Sequence, residues 1–286
     1  GMGGAFVALA DDANAPMYNP AGIDYIKKPE LGFTYIDIIS GAVIYNYVSI
    51  IAPLKKFGGV GLSFGMLSDE SSIYSEKNFI FSYSKRLIEK LSLGANLKML
   101  NTGFSSDNEW IKENPYFVET STSGFTLDIG MLAKPVSGLN IGLSAQNLIP
   151  VDVSISESDK EEVNKNLKFG VAYKLSAVAS IAQRPALREV LETTSISFEG
   201  AMGKEREVNS LRIRAGIEAW FSNQIFALRA GYNMKKVHET SSSATIGATV
   251  KVPISRSILC LDYALQIHNV DIQEKMSNRV SLSVSI

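Results

Sequence analysis

Apolar and polar residues alternate one by one through most of the chain, from about Leu31 to its last residue. In a typical stretch the two alternating sets are Leu211, Ile213, Ala215, Ile217 and Ala219 against Arg212, Arg214, Gly216 and Glu218. Successive side chains of a β-strand point to opposite faces, so a strand separates these two sets whereas a helix would mix them. Because the alternation recurs along the chain, the sequence predicts an all-β protein.

The alternating segments are about ten residues long, and they predict about fourteen antiparallel strands. We place these strands near residues 31–39, 43–53, 58–68, 76–86, 91–103, 121–134, 138–147, 165–175, 193–202, 209–220, 224–233, 241–253, 257–267 and 278–286. Fourteen is an even number, as is found in the single-chain barrels of bacterial outer membranes.

The alternation alone leaves open which face of the strands meets water. A soluble barrel buries its Leu, Ile and Val face, whereas a membrane barrel turns that face to lipid and keeps a polar lumen. A closed barrel of about fourteen strands has a lumen too wide to fill with one layer of apolar side chains. We therefore expect a transmembrane β-barrel, with a soluble β-sandwich or propeller as the alternative.

In a membrane barrel the polar face of each strand lines the lumen. The charged residues expected there have both signs and can pair across the lumen; they are Lys98, Asp128, Lys134, Lys168, Lys174, Glu199, Arg212, Arg214, Glu218, Arg229, Lys251 and Asp262. Aromatic side chains near strand ends are expected to form girdles at the membrane interfaces. The candidates for these girdles are Tyr35, Tyr83, Trp220, Phe221 and Tyr263.

The predicted connections alternate between short turns and longer polar loops, which is typical of outer-membrane barrels. The long loops on one rim are Asp69–Ser75, Phe104–Thr120, Ile149–Asn164 and Asn269–Ser277. Two connections depart from this pattern. The one near Ser40–Ala42 is short where a long loop is expected, and Ser176–Glu192 is long on the short-turn side and is predicted to hold a small helix.

Composition excludes several classes of function. A net charge of −1 gives no electrostatic reason to expect a nucleic-acid partner. The single Cys260 excludes an internal disulfide framework, and His238 and His268 lack metal-ligand spacing, so no metal or cofactor is expected. No apolar run is long enough for a membrane-spanning helix, so any membrane role must come from strands. We expect a signal peptide ahead of Gly1, removed or omitted from this sequence.

The first residues differ in composition from the alternating remainder. Residues 1–28 are rich in Gly, Ala, Asp and Asn. Asn19 followed by Pro20 predicts a helix start, since Asn accepts backbone N–H bonds as an N-cap and Pro suits the first helical position. Asp11 and Asp12 can cap a neighbouring turn in the same way. The sequence thus predicts a small helical hatch, 1–28, that plugs a barrel formed by 29–286 in one integrated domain.

Two N-terminal motifs carry a resemblance to a known family. Gly1-Met-Gly-Gly-Ala-Phe-Val-Ala-Leu-Ala-Asp-Asp12 and Tyr18-Asn-Pro-Ala-Gly-Ile23 resemble the N-terminal signature of FadL-like outer-membrane barrels, particularly the PorV/PorQ branch. The resemblance implies a fourteen-stranded barrel in the bacterial outer-membrane bilayer with the hatch folded inside its lumen. It assigns a hatch motif of Gly3, Gly4, Asp11, Asp12, Asn14, Asn19, Pro20 and Ala21.

The resemblance also points to a candidate lateral opening. In the fatty-acid transporters of this superfamily, ligands leave sideways through a gap where a hatch contact kinks the third strand. The matching strand here has four glycines, namely Gly58, Gly59, Gly61 and Gly65. Glycine in a strand marks a bulge, a bend or a close approach. The alternative is that these glycines make room for the hatch against the wall.

Two functions follow from the resemblance. The first is passage of hydrophobic, fatty-acid-like small molecules across the outer membrane; the alternative is a PorV-like, sealed component of a type IX secretion and surface-attachment system with a protein partner. An enzyme is not expected. Gly61-Leu-Ser-Phe-Gly65 matches the G-x-S-x-G motif, but a nucleophile elbow needs a strand-to-helix turn and this segment is predicted to continue as a strand. No residue is a candidate for catalysis.

Overall fold

In the computed structural model, which describes residues 1–38, 40–113, 120–155, 161–179, 181–205, 208–269 and 276–286, the strands form a closed antiparallel barrel. Each strand pairs with its neighbours in sequence, and the first pairs with the last over Glu30–Asp37. The predicted all-β barrel of fourteen strands is therefore confirmed, and closure leaves no sheet edge exposed to lipid.

The strands run close to their predicted positions. They are β1 Glu30–Asp37, β2 Val43–Pro53, β3 Gly59–Asp69, β4 Tyr74–Ile88, β5 Leu91–Phe104, β6 Ser121–Val136, β7 Leu139–Gln146, β8 Asn166–Lys174, β9 Ser195–Glu205, β10 Val208–Phe221, β11 Phe226–Lys236, β12 Thr240–Ile254, β13 Ser257–Asn269 and β14 Met276–Ser285. The helices are α1 Ala15–Tyr18, α2 Glu109–Glu113, α3 Ser176–Ala179 and α4 Pro185–Thr193, with 3₁₀ turns at Pro20–Tyr25 and Lys55–Phe57. Within the described residues no helix is both long and apolar enough to cross a membrane.

The two faces of the barrel wall have opposite chemistry. Large apolar side chains such as Leu62 and Phe125, each 61% exposed, cover the outside. Polar residues such as Asn96, Thr126 and Asp128 are buried on the inside. A soluble protein would bury the apolar set, so the structure supports the membrane interpretation.

The connections match the predicted asymmetry only in part. Both termini of the barrel wall lie at the end that has the tightest turns, those joining β4 to β5, β6 to β7 and β12 to β13, and this is the periplasmic end. At the outer end, β5 to β6 and β7 to β8 have long connections, but β3 to β4 is short. The predicted small helix within Ser176–Glu192 is α4. Parts of the predicted long loops, 114–119, 156–160 and 270–275, lie outside the described residues.

Candidate functional site: the plugged lumen

The hatch begins with turns and ends in two short helical segments. We use the word hatch for residues 1–28. Asn19 lies between the segments: its side chain accepts a hydrogen bond from Ala21 N at 3.1 Å, and Pro20 takes the first position of the 3₁₀ turn. Asp12 Oδ1 accepts from Asn14 N at 2.7 Å. Asn19 thus caps the 3₁₀ turn, whereas Asp12 stabilises the turn that precedes α1.

Asn19 also joins the hatch to the wall. Its Nδ2 donates both to Val7 O, in the first part of the hatch, and to Met131 O in β6, each at 3.0 Å. The side chain is fully buried. Because a buried donor without a partner costs free energy, Asn19 specifies where the two halves of the hatch meet β6.

Lumen-facing glycines form a seat for the hatch. A Cβ on Gly130 would collide with Asn19 Oδ1, and a Cβ on Gly142 would collide with Val7 O. A Cβ on Gly216 would lie 2.6 Å from Met2 O. We call this set the glycine belt; its members are Gly94, Gly130, Gly142, Gly216 and Gly231. Only glycine lets the hatch backbone approach the wall this closely.

Glu199 in β9 anchors the first part of the hatch. Its Oε2 accepts from the backbone N–H groups of Phe6 and Val7, both at 3.0 Å. Its Oε1 pairs with Arg214 Nη1 on the adjacent strand β10. The carboxylate is buried, so the guanidinium and two amides together compensate for its lost hydration.

A second buried carboxylate lies on β6, three strands away from β9. Asp128 pairs with Lys98 Nζ at 2.7 Å and accepts from Asn147 N at 2.9 Å. Asn96 Nδ2 donates to Asp128 and also to Pro16 O of the hatch, at 2.9 and 2.8 Å. This network therefore joins the hatch to β5 and β6. Through Asn147 it also binds the start of the outer connection from β7 to β8.

A third network lies toward the periplasmic end. Arg229 contacts Glu218 and Asp262, each at 2.6 Å. Trp220 Nε1 donates to Glu218 at 2.8 Å, and the Lys251 ammonium lies 3.9 Å from the Trp220 ring centroid. Trp220 thus faces the lumen, and its predicted place in a lipid-facing girdle is wrong. A two-residue period puts it on the same face as Glu218.

The other charged residues predicted for the lumen have varied surroundings. Lys134 and Lys168 lie over hatch rings, 3.7 Å from the Tyr25 centroid and 5.8 Å from the Tyr18 centroid. Lys174 lines the periplasmic cavity described below. Arg212 is half-buried on the same face of β10 as Arg214. Most of these charges therefore meet either the opposite charge or the hatch.

A cavity of about 440 Å³ lies on the periplasmic side of the hatch. Its lining mixes apolar residues such as Phe6 with charged ones of both signs, among them Asp11, Asp12, Arg229 and Lys251. Burial, and next the carboxylate of Asp11, raise the pKa of Asp12 to about 6. Cys260 also lines this cavity and contacts Asp262. Such a lining is poorly suited to a hydrocarbon.

An outer loop closes over the lumen from the other side. Val151 and Val153, in the connection from β7 to β8, are buried. Val151 packs on Gly124, which is a lumen-facing position of β6. Ile111 in α2 is also buried. The lumen is therefore covered at its outer mouth as well as filled by the hatch.

The strand predicted to hold a lateral opening is continuous. Along Gly59–Ser68, β3 pairs residue by residue with both β2 and β4, without a register shift. A Cβ on Gly59 would lie 2.7 Å from Ile23 Cγ2 of the hatch. Gly58 has φ of +102° and a Cβ there would collide with Ser84 O. These glycines admit the hatch and a tight turn, and the wall along this strand has no gap.

The sequence pattern did not identify the glycine belt as a unit. Its glycines were visible on the polar faces of their strands, but only strand register pairs Gly94 with Gly130 and Gly216 with Gly231. Among the residues that the structure describes, there is no group of three or more His, Cys, Asp and Glu that could hold a metal ion.

Comparison with known proteins identifies the family. Residues 13–285 match the family model described as type IX secretion system membrane protein PorP/SprF. No curated protein sequence matches the chain. The N-terminal motifs pointed to FadL-like outer-membrane barrels and their PorV/PorQ branch; the family model that matches is PorP/SprF, another type IX secretion system membrane protein family.

Solved structures share the fold over nearly the whole chain. The CymD monoaromatic hydrocarbon channel aligns with a TM-score of 0.66 and 11% identity, covering 100% of this chain and 96% of the other. A Pseudomonas aeruginosa FadL homologue gives 0.65 and 10%, covering 98% and 95%. The Pseudomonas putida toluene transporter TodX gives 0.59 and 12%, covering 99% and 96%. At these identities the likeness shows the fold alone.

The family follows from the match of residues 13–285 to the family model. The chain belongs to the PorP/SprF family of type IX secretion system membrane proteins, and it is a bacterial outer-membrane β-barrel with a FadL-like fold.

Proposed function

We propose that this protein is a sealed barrel component of a type IX secretion system, and that it works through its rims while its lumen stays closed. The observation that carries this proposal is the seat of the hatch, in which Asn19 and Glu199 bind hatch backbone across the lumen. The match to the PorP/SprF family model supports the same function.

The electrostatics of the lumen also support a sealed barrel. Asp128 and Glu199 are buried and each pairs with a cation of the neighbouring strand. Opening the lumen by moving the hatch would leave the Glu199 carboxylate without its two amide donors. Breaking contacts to a buried charge is costly, so the plugged state is strongly preferred.

The proposal is tested in a bacterium that has type IX machinery. We expect deletion of the gene to stop release of type IX cargo, and the full chain to restore it. In planar bilayers the purified protein should show little conductance. Cargo release that persists after deletion, while uptake of an aromatic hydrocarbon falls, would contradict the proposal.

A second candidate is passage of small hydrophobic molecules, since CymD is a monoaromatic hydrocarbon channel and TodX is a toluene transporter. An apolar hollow of about 460 Å³ on the outside of β2–β6, lined by residues such as Leu62 and Phe79, favours it. Passage through the wall at β3 would require β2 and β3 to separate.

A disulfide across these strands tests the second candidate. Ser49 and Ser63 are register partners on the lumen face, with their hydroxyl oxygens 2.9 Å apart. We expect Ser49→Cys/Ser63→Cys, made in a Cys260→Ser background, to leave function unchanged on oxidation. Loss of hydrocarbon uptake on oxidation, restored by a reductant, would favour lateral passage at this site.

A further inference from the structure

The periplasmic rim concentrates positive charge on one side of the barrel. Six exposed lysines lie at the ends of β1, β2, β4 and β5, which are close together in the sheet. We call them the basic rim: Lys27, Lys28, Lys55, Lys56, Lys85 and Lys90. Glu89 is an exposed carboxylate among them, whereas Asp24 is paired with Arg86 at 2.9 Å. The basic rim therefore has a clear excess of cations.

The rest of the periplasmic end carries exposed charges of both signs, which are Lys174, Arg184, Arg188, Glu189, Glu192 and Arg256. The turn from β10 to β11 has no charged residue, and α4 carries Arg188 and Glu192 as an ion pair at 3.3 Å. At the outer end, exposed carboxylates such as Glu70, Glu161 and Glu239 are prominent. The excess of positive charge is thus largest on the β1–β5 side of the periplasmic end.

Structure holds part of the basic rim in place. Tyr83 Oη donates to Phe57 O at 2.8 Å, and Gly58 packs directly on Ser84 and Lys85. These contacts fix the turn that carries Lys55 and Lys56 against β4, beside Lys85. The fold therefore places Lys85 beside the turn of Lys55 and Lys56, from which it is distant in sequence.

Exposed apolar side chains are interleaved with these lysines. Phe57 is 62% exposed and Ile88 is 64% exposed, and the Lys56 ammonium lies 5.3 Å from the Phe57 ring centroid. Lys85 continues the lipid-facing series of Phe81 and Tyr83 at a two-residue period. Ammonium groups beside exposed apolar side chains at a membrane rim match the boundary between lipid headgroups and acyl chains.

The apolar hollow lies directly above the basic rim on the same strands. It runs across β2 to β6 in two registered rows that include Ile50, Leu62 and Phe81 in one and Phe64 and Phe79 in the other. Phe81 and Lys85 are four residues apart in β4, or about 13 Å along the strand. An acyl chain readily spans that distance.

We propose that the basic rim and this hollow together form a binding site for an anionic phospholipid of the inner leaflet. The lysines bind the phosphate group, and the acyl chains lie in the hollow along Phe64, Phe79 and Phe81. The hollow is continuous with the lipid-facing wall, so its occupant comes from the bilayer. This site does not depend on the proposed role in secretion.

Native mass spectrometry of the detergent-solubilised full chain tests the site, with dioleoyl phosphatidylglycerol and dioleoyl phosphatidylcholine as probes. The wild type should retain the anionic lipid in clear preference to the zwitterionic one. In Lys55→Gln/Lys56→Gln/Lys85→Gln the preference should fall by about fivefold for each lysine removed, the usual effect of one basic side chain near an anionic membrane surface. Equal retention of both lipids by the wild type would overturn the proposal.

A matched control removes the same charge from the outer end. Lys112→Gln/Lys165→Gln/Lys236→Gln changes three exposed lysines there and should keep the wild-type preference. Heat-modifiable electrophoretic migration verifies that each variant is a folded barrel. If the first triple variant does not fold, raising the salt concentration with the wild type should lower the preference in its place. A preference that both triple variants lose equally contradicts the site.

Two further experiments test the acyl-chain part of the site and distinguish a lipid headgroup from a free anion. Phe79→Ala/Phe81→Ala should weaken retention of both lipids by a similar factor, since it enlarges the hollow without changing charge. At matched ionic strength, inorganic phosphate should displace no more phosphatidylglycerol than chloride does. Greater displacement by phosphate than by chloride would show that the lysines bind a free anion, and the lipid site would be wrong.

Discussion

Glu199 Oε2 accepts hydrogen bonds from the backbone N–H groups of both Phe6 and Val7, at 3.0 Å each, so that one wall carboxylate binds two consecutive amides of the hatch. Its other oxygen pairs with Arg214. Charge-assisted hydrogen bonds of this kind are stronger than neutral ones. Glu199 is therefore the central contact between the hatch and the β9–β10 wall.

Glu199→Ala should loosen the first part of the hatch. The substitution leaves two buried amides and the Arg214 guanidinium without their acceptor, and we expect a loss of about 3 kcal/mol in the local opening free energy. Hydrogen exchange at the Phe6 and Val7 amides measures it. The Arg214→Met/Glu199→Met double variant should recover part of the loss, and an unchanged exchange rate in Glu199→Ala would contradict the anchoring role.

Asn19→Ala should separate the hatch from β6. Val7 O and Met131 O lose their shared donor, which we expect to cost about 1–3 kcal/mol. Limited proteolysis within the hatch should become faster at the same temperature. Asn209→Ala, an exposed position near the start of β10, serves as the control and should leave the rate unchanged. Equal proteolysis rates in Asn19→Ala and Asn209→Ala would show that Asn19 does not hold the hatch against β6.

Gly130→Ala should displace the hatch and raise conductance in planar bilayers. The added Cβ collides with Asn19 Oδ1, which is held by Ala21 N and cannot move freely. Gly200→Ala is the matched control, because nothing lies within 4 Å of its added Cβ. The glycine belt would lose its assigned role if both variants conducted like the wild type.

Hatch stability should fall as the pH rises from about 4 to about 6. The pKa of Asp12 is raised to about 6 by burial and by Asp11, above its ordinary value of 3.8. In that interval the folded state holds a proton that the unfolded state has already released, so each increase in pH favours unfolding. The destabilisation is absent below pH 4 and is complete above pH 6.

The rate of proteolysis within the hatch, measured at each pH, reports the stability of the hatch. The protease must be active across this pH range, and its rate on an unfolded substrate corrects for its own dependence on pH. Asp12→Asn removes the ionisable group and should reduce the dependence on pH, with Asp11 left as the remaining hatch carboxylate of raised pKa. A wild-type hatch whose stability rises over the same interval would show that another group dominates.

Much of the fold follows from local pattern. The two-residue alternation predicted all fourteen strands, because a strand that is wet on one face and in lipid on the other must alternate. The helix within Ser176–Glu192 and the turn chemistry of Asn19-Pro20 were also predicted, since both depend on residues near one another in sequence. Alternation likewise indicated the polar face of each strand that lines the lumen.

Other features were decided by the tertiary structure, because they depend on strand register and on the direction in which a side chain points. For Gly58–Gly65 the sequence left open a lateral opening or room for the hatch. In the barrel the wall is continuous along β3, Gly59 and Gly61 lie against Ile23, and Gly58 packs on Ser84 in a tight turn. Trp220 looked like a girdle residue and instead covers Glu218 and Lys251. Sequence alone determined the barrel because backbone pleating is a local property. The seat of the hatch needed the closed sheet, because only the pairing of strands far apart in sequence brings these glycines against the hatch.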